Sequence, residues 1–539
     1  MKLADEYWEG TLRQNPRWAT SIGDRRFDAL MEDASPSGKA REVARLEDLR
    51  TRVAREAPSV TRSLLELQLR NDLDQLACSF EEWSVDPLNG PQVELLNLPE
   101  LQTVTTPEHA RDIVLRWRAI GPWLDQVGAN LRRGAARGRF AVRDAVAKAL
   151  TQLDDLLARP PSEWPLVANV KAPAIRGELE EAVRASVKPA FERYRDLLRG
   201  ELLPRARSSE KAGLCEIDPA AYRKMIRVHT ALDLSPEEIH ARGQAEVARI
   251  RSEIESLGAR LLGARTVEAV RERLANDPPM FFATRDEVAN KAEQALHRAE
   301  AAVPRYFRLL PRTPCVVKRM EPHEEKFSTL AYYRQPSIDG SRPGTYWINT
   351  SEPTTRTRYE AEALAFHEAV PGHHTQIAIQ QELEGIAEFR KHTGSTAYVE
   401  GWALYTERLA DEIGLYEGDL DRLGMFSFEA WRACRLVVDT GIHALGWSRD
   451  RALAYMKANT LLAENNIANE VDRYIVWPGQ ALAYKLGQLE ILALRAAAKE
   501  KLGARFDLKD FHDRVLEAGA VALPILRERV EEWVRTARR

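Results

Sequence analysis

Apolar positions recur at helical spacing through most of this chain. In SLLELQLRNDLDQLACSFEEW (63–83) and HARDIVLRWRAIGPWLDQVGANLRR (109–133) they gather on one side of a 3.6-residue turn, which predicts amphipathic helices. Ala174–Gly200, just after Pro173, reads as a third. Breaks are expected at Asp86–Pro87, Pro160–Pro161 and Pro204. Ser235-Pro-Glu-Glu puts proline at a first helical position and Glu238 where a capping box needs it, so a long helix should run to about residue 257. After Pro311 the texture changes. CVVKRM, STLAYY and GTYWINT are short and rich in β-branched and aromatic residues, which predicts strands, with DGSRPG (339–344) as a turn. Helical periodicity resumes near Thr357 and runs almost to the end. The expected fold is mainly α with a small β-sheet. It divides into an N-terminal helical region, 1–220, and a region 221–539 that carries the chemistry, which together can equally form one continuous body.

With 539 residues the chain can bury a large core. Its 78 basic and 81 acidic side chains nearly balance, so no strong field suggests nucleic acid. No apolar run approaches a membrane span, and MKLADEYWEGTLRQNP lacks the apolar core of a secretory signal. Cys78, Cys215, Cys315 and Cys434 are far apart and form no CxxC pair. A cytoplasmic setting is expected, with neither nucleic acid nor membrane as partner; the oligomeric state stays open.

The chemistry gathers in AFHEAVPGHHTQ, where His367, His373 and His374 lie within eight residues and Glu368 follows the first. A zinc peptidase needs two imidazoles, a carboxylate ligand and a further carboxylate to take a proton from water. The usual H-E-x-x-H spacing is absent, because position 371 is proline. On an unbroken helix six residues turn through about 600°, and seven rise about 10.5 Å, so neither following histidine would meet His367. Pro371 and Gly372 can deform the helix, and a bulge at Val370–Pro371–Gly372 would return His373 to the side of His367. His374 would then stand behind the site or touch substrate; the reverse assignment is open.

The third ligand is sought in TAYVEGWALYTERLADEIG, where Glu400 is preferred; Glu407, beside Arg408, reads as part of a charged face. Downstream, NEVDRYIVWPGQALAYKLGQLE holds Arg473, Tyr474, Gln480, Tyr484 and Lys485, and either tyrosine can serve as donor to an oxyanion. Asp439 and His443 read as supporting or structural. GTYWINT is considered as an edge strand for extended substrate. No G-x-S-x-G elbow or dinucleotide fingerprint occurs, and Gly258 and Gly263 lack the Lys-Ser/Thr of a P-loop.

HEAVPGHHTQ, YVEGWALYTERL, DTGIHALGWS, RYIVWPGQALAYKLG and YYRQPSIDGSRPGTYWINT resemble the bacterial family catalogued as domain of unknown function 885, and PRWATSIGDRRFD extends the likeness toward the N-terminus. That family resembles the helical gluzincin peptidases, which include the thimet oligopeptidase, angiotensin-converting enzyme and thermostable carboxypeptidase groups. The resemblance implies a two-lobed, zincin-like helical body with zinc at the floor of a deep cleft. It likens Gly372–His373 to the Gly-His that ends many such zinc helices. It likens Arg473–Tyr474 to an Arg-Tyr pair whose tyrosine serves the oxyanion. The expectation is a zinc peptidase, with a peptide or small amide as substrate. A helical binding protein with a relic metal site, and a metal-dependent hydrolase of another amide or ester, are the alternatives.

Overall fold

The computed structural model describes residues 2–320, 325, 329–337, 340 and 342–537. It is mainly helical, and it resolves into two compact units: Met1–Lys224 with Gly446–Arg449, and Met225–Leu445 with Asp450–Arg539.

The first unit is built around α1 (Pro107–Ala136). Thr106 caps its first turn, accepting from the His109 amide, and Pro107 sits where a missing N–H costs nothing. Ile113, Trp117, Ile120, Leu124 and Leu131 line its buried side. Trp117 is fully buried, and its Nε1 finds the Leu166 carbonyl at 2.8 Å. The helix expected over Ala174–Gly200 is irregular, because π turns at Val183–Val187 and Leu198–Leu202 flank the segment Lys188–Leu197. Pro189 lies just after the first; its missing donor is a reason for the ladder to widen there.

The second unit opens with α2 (Pro236–Leu262), which carries the expected capping box between Ser235 and Glu238. It continues to Leu262, further than expected, until Gly263 takes a left-handed φ of 65°. Strands β1 (Cys315–Arg319), β2 (Ala331–Arg334) and β3 (Gly344–Ile348) form one sheet in the order β1-β3-β2. β3 is parallel to β1 and antiparallel to β2. The segment considered as an edge strand is therefore the central one, and both of its edges are already paired. Ser328, and Asp339 and Ser341 of the expected turn, lie outside the described residues.

Six helices then carry the candidate chemistry: α3 (Ala361–Glu368), α4 (His373–Glu382), α5 (Thr396–Glu412), α6 (Asp419–His443), α7 (Glu464–Val476) and α8 (Leu482–Leu502). α5 and α8 approach closely: a Cβ on Gly401 would fall 2.4 Å from the Gly487 backbone, and one on Gly487 would fall 1.8 Å from the Ala397 carbonyl. A buried ion cluster ties the helices further. Lys485 reaches Glu429 at 2.7 Å and Glu246 at 2.9 Å, and Arg408 reaches Glu429 at 2.5 Å. Burial opposes the charge on Glu429, yet Lys485, Arg408 and Arg249 outweigh it and hold the carboxyl down at about 2. Lys485, first considered with the candidate chemistry, is a strut between α2, α6 and α8. Among the described residues no helix is long and apolar enough to cross a membrane.

Candidate metal centre

α3 ends at Glu368, and the chain passes through Ala369–Gly372, with a cis Val370–Pro371 bond, before α4 begins at His373. Gly372 lies directly on the last turn of α3: a Cβ there would stand 1.9 Å from the His367 carbonyl oxygen. Only glycine lets the backbone approach so closely. The polar groups of the break find partners. The His374 amide donates to the Ala369 carbonyl at 3.1 Å. From α5, Trp402 Nε1 donates to the Pro371 carbonyl at 3.0 Å and Thr406 Oγ1 to the Phe366 carbonyl at 3.2 Å. These bonds hold a deformation that would otherwise leave buried carbonyls unpaired.

The break brings His373 back beside His367, with ring centroids 4.8 Å apart and planes at 85°. Glu400 faces both from α5. Its Oε2 lies 3.8 Å from His367 Nε2 and 3.5 Å from His373 Nε2. These separations are long for hydrogen bonds. Two ligands about 2.05 Å from a tetrahedral ion stand about 3.3 Å apart, close to what is seen. Glu400 Oε2 and His373 Nδ1 are buried without a hydrogen-bond partner among the described residues. Glu368 also belongs here: ligand-type atoms of His367, Glu368 and His373 lie within 4.8 Å of one another. The donor set of two imidazoles and one carboxylate, with a second carboxylate beside it, fits a divalent metal.

Electrostatics agree. Burial alone would keep His367 neutral, but Glu400 and Glu407 outweigh it and lift its pKa to about 9. Burial likewise opposes the charge on Glu400, and the two histidines override it and hold the carboxyl well below its usual range. The site is therefore poised for positive charge. Glu407 is where the sequence reading fails: it is 1% exposed, not part of a solvated face, and accepts from His367 Nδ1 at 2.7 Å. That bond fixes the tautomer and leaves Nε2 free to face Glu400.

His374 does not share this space. Its Nε2 donates to the Thr313 carbonyl at 3.0 Å and its Nδ1 accepts from Tyr333 Oη at 3.0 Å. Burial lowers its pKa to about 4, so both nitrogens are committed with the ring neutral. Of the pair, His373 alone joins His367 and Glu400, and His374 fastens α4 to the sheet.

The tyrosines also separate. Tyr474 is buried, and its hydroxyl accepts from Trp431 Nε1 and Arg435 Nε, each at 3.1 Å, while its proton faces Glu470. It is poorly placed to serve an oxyanion. The Tyr484 hydroxyl accepts from Arg473 Nη2 at 3.2 Å, and no acceptor for its own proton is found among the described residues. Asp439 accepts from the Gly479 amide at 3.1 Å, and His443 Nε2 donates to the Tyr474 carbonyl at 2.8 Å, so both are structural. Sequence reasoning missed Arg432, Arg435 and Glu470. For the arginines the signal was AWRACRLVV, where both interrupt an otherwise apolar stretch, and Glu470 stands at the head of the NEVDRY block.

Comparison with known proteins places the chain. No curated protein matches it. A solved structure described as "the putative lipoprotein from Colwellia psychrerythraea" is 28% identical, with a TM-score of 0.93 over 99% of this chain and 98% of that one. A second, described as "a putative lipoprotein of unknown function from Shewanella oneidensis", shares the fold at 18% identity, with a TM-score of 0.75 over 98% of each chain. The profile of the family described as "Bacterial protein of unknown function (DUF885)" matches residues 16–530, and the chain belongs to that family.

Proposed function

We propose that this chain is a zinc-dependent hydrolase of amide bonds, acting as a peptidase on oligopeptides. One observation carries the reading: Glu400 Oε2 stands 3.8 and 3.5 Å from the Nε2 atoms of His367 and His373, and Glu368 shares a cluster with the two histidines in which ligand-type atoms lie within 4.8 Å of one another. His367, His373 and Glu400 would hold the ion, and zinc, when bound, would supply a Lewis acid to polarise a carbonyl and acidify water. Glu368 follows a ligand in sequence and sits in the same cluster, so it is the group to accept a proton from the attacking water and pass it to the leaving amine. Glu407 keeps the His367 ring in one tautomer throughout. Tyr484, with its proton unclaimed and Arg473 donating to its oxygen, is the better candidate to stabilise negative charge on the substrate oxygen.

A mainly helical body with a small sheet just before the histidine helix supports the zincin-like reading. A cytoplasmic setting is supported by the buried thiols Cys315 and Cys434, which are in no disulfide among the described residues. The lipoprotein descriptions of the two solved relatives argue for export instead, and cell fractionation separates the two.

The test of the activity is Glu368→Gln, with zinc content and peptide turnover measured on the same preparation. Zinc is expected to stay and turnover to fall at least about 100-fold. Full turnover in a zinc-loaded mutant removes Glu368 from the mechanism.

A further inference from the structure

Arg432 and Arg435, one turn apart on α6, are 4% and 1% exposed. Their guanidinium carbons lie 4.1 and 4.5 Å from the ring centre of Trp431, and that of Arg435 lies 4.2 Å from the ring of Tyr484. Arg473 joins them from α7, donating to the Tyr484 hydroxyl at 3.2 Å and to Gln480 at 2.9 Å. One carboxylate pairs with two of the three cations: Glu470 reaches Arg435 at 2.8 Å and Arg473 at 3.5 Å.

The donors outnumber their acceptors. Arg432 Nε, Arg435 Nη1 and Arg473 Nε are buried and have no hydrogen-bond partner among the described residues. The hydrogen bond made by Arg432 is a long one, 3.5 Å to the Phe428 carbonyl of its own helix. Buried, under-paired cations are costly, and they persist most readily where a ligand completes them. The packing also points back to the candidate metal centre. Gly424 at the start of α6 lies on the Tyr359 carbonyl just before α3, and Arg432 follows two turns later. The charge that acts most strongly on Arg432 is Glu407, the carboxylate that holds His367. Arg473, Trp477 and Gln480 are half-buried and leave the cluster a side toward solvent.

We propose that Arg432, Arg435 and Arg473 form a subsite that binds a carboxylate of the substrate beside the candidate metal centre. The proposal rests on the peptidase reading above. A guanidinium fork matches a carboxylate in two-point contact, and the aromatic faces of Trp431 and Tyr484 keep the forks from swinging away. The carboxylate belongs either to the C-terminus of a peptide or to an acidic side chain near the cleaved bond.

Three N-acetylated tetrapeptides of otherwise neutral sequence separate these sources: a free acid, its C-terminal amide, and an amide ending in a glutamate residue. Binding is measured by calorimetry on the zinc-loaded Glu368→Gln protein and turnover on the parent. One or both acidic peptides are expected to bind about 10- to 100-fold more tightly than the neutral amide. Preference for the free acid assigns the C-terminus, and preference for the glutamate peptide assigns a side chain. Arg432→Gln, with Arg432→Lys as the variant that keeps the charge, should narrow the difference to within about threefold in the former and less in the latter. Equal binding of all three peptides by the zinc-loaded Glu368→Gln protein, or no binding of any, overturns the proposal whether or not the arginine variants fold. So does inorganic phosphate that binds without competing with the acidic peptides. The two readings fail separately: acid-selective binding without cleavage keeps the subsite and sinks the peptidase, and cleavage blind to charge does the reverse.

Discussion

Glu407→Gln tests the carboxylate behind His367, and its effect can be sized in advance. The 2.7 Å contact to His367 Nδ1 lies in the range of charge-assisted hydrogen bonds, and both partners are nearly fully buried. Glutamine keeps the shape and an acceptor oxygen but removes the charge. The ring can still be oriented, while its Nε2 becomes a weaker electron donor. Outer contacts of this kind typically contribute 10- to 100-fold in metal affinity, or about 1.4–2.7 kcal/mol. The loss also leaves Arg432 without its strongest acidic neighbour, so the fold should lose stability too, by about 1–3 kcal/mol. Zinc affinity is read by competition with a chromophoric chelator, and stability by urea unfolding of the metal-free protein. Glu412→Gln is the control, since that residue lies on the same helix but pairs with Arg495 at the surface. Zinc affinity within twofold of the parent in Glu407→Gln would refute the idea that this carboxylate tunes the site.

Two further outcomes follow from other residues. Tyr484→Phe should cost about 100- to 1000-fold in turnover with zinc retained, whereas Tyr474→Phe should chiefly cost stability, about 1–3 kcal/mol, by disturbing Trp431, Arg435 and Glu470. Steady-state kinetics and denaturant curves on both variants check this, and the reverse pattern would return Tyr474 to the mechanism. His512 is fully buried between the Tyr306 carbonyl and the Tyr405 hydroxyl, and burial lowers its pKa to about 3. The unfolded chain takes up that proton near pH 6.5, so the stabilisation is complete above about 6.5 and declines as pH falls toward about 3, by about 1.4 kcal/mol per unit. Unfolding free energy measured from pH 7 to 4 should fall less steeply in His512→Gln, and an unchanged slope would remove His512 as a source of acid sensitivity.

What could be read from the sequence was what local spacing dictates. The Ser235 cap, the amphipathic helices and the aromatic strands after Pro311 each carry their cause within a few residues. The Pro371–Gly372 break was legible for the same reason, because helix geometry forbids the two histidines from meeting without it. The rest depends on partners far along the chain. Glu407 looks solvated beside Arg408, but the His367 ring that buries it comes from 40 residues earlier. His374 looks as good a ligand as His373 until Thr313 and Tyr333, 61 and 41 residues away, claim its nitrogens. The place of β3 at the centre of the sheet follows from a parallel pairing with β1 that no local pattern encodes. The arginines of α6 sit in an apolar run, and periodicity alone cannot say which neighbours they meet.

The proposed metal ligands are the set His367, His373 and Glu400, without His374. Elemental analysis of the parent, His373→Ala and His374→Ala proteins, each dialysed against zinc and freed of excess, tests it most directly. One zinc per chain is expected in the parent and in His374→Ala, and loss of zinc in His373→Ala. A parent protein that takes up no zinc, or a site emptied by His374→Ala and left full by His373→Ala, would contradict it.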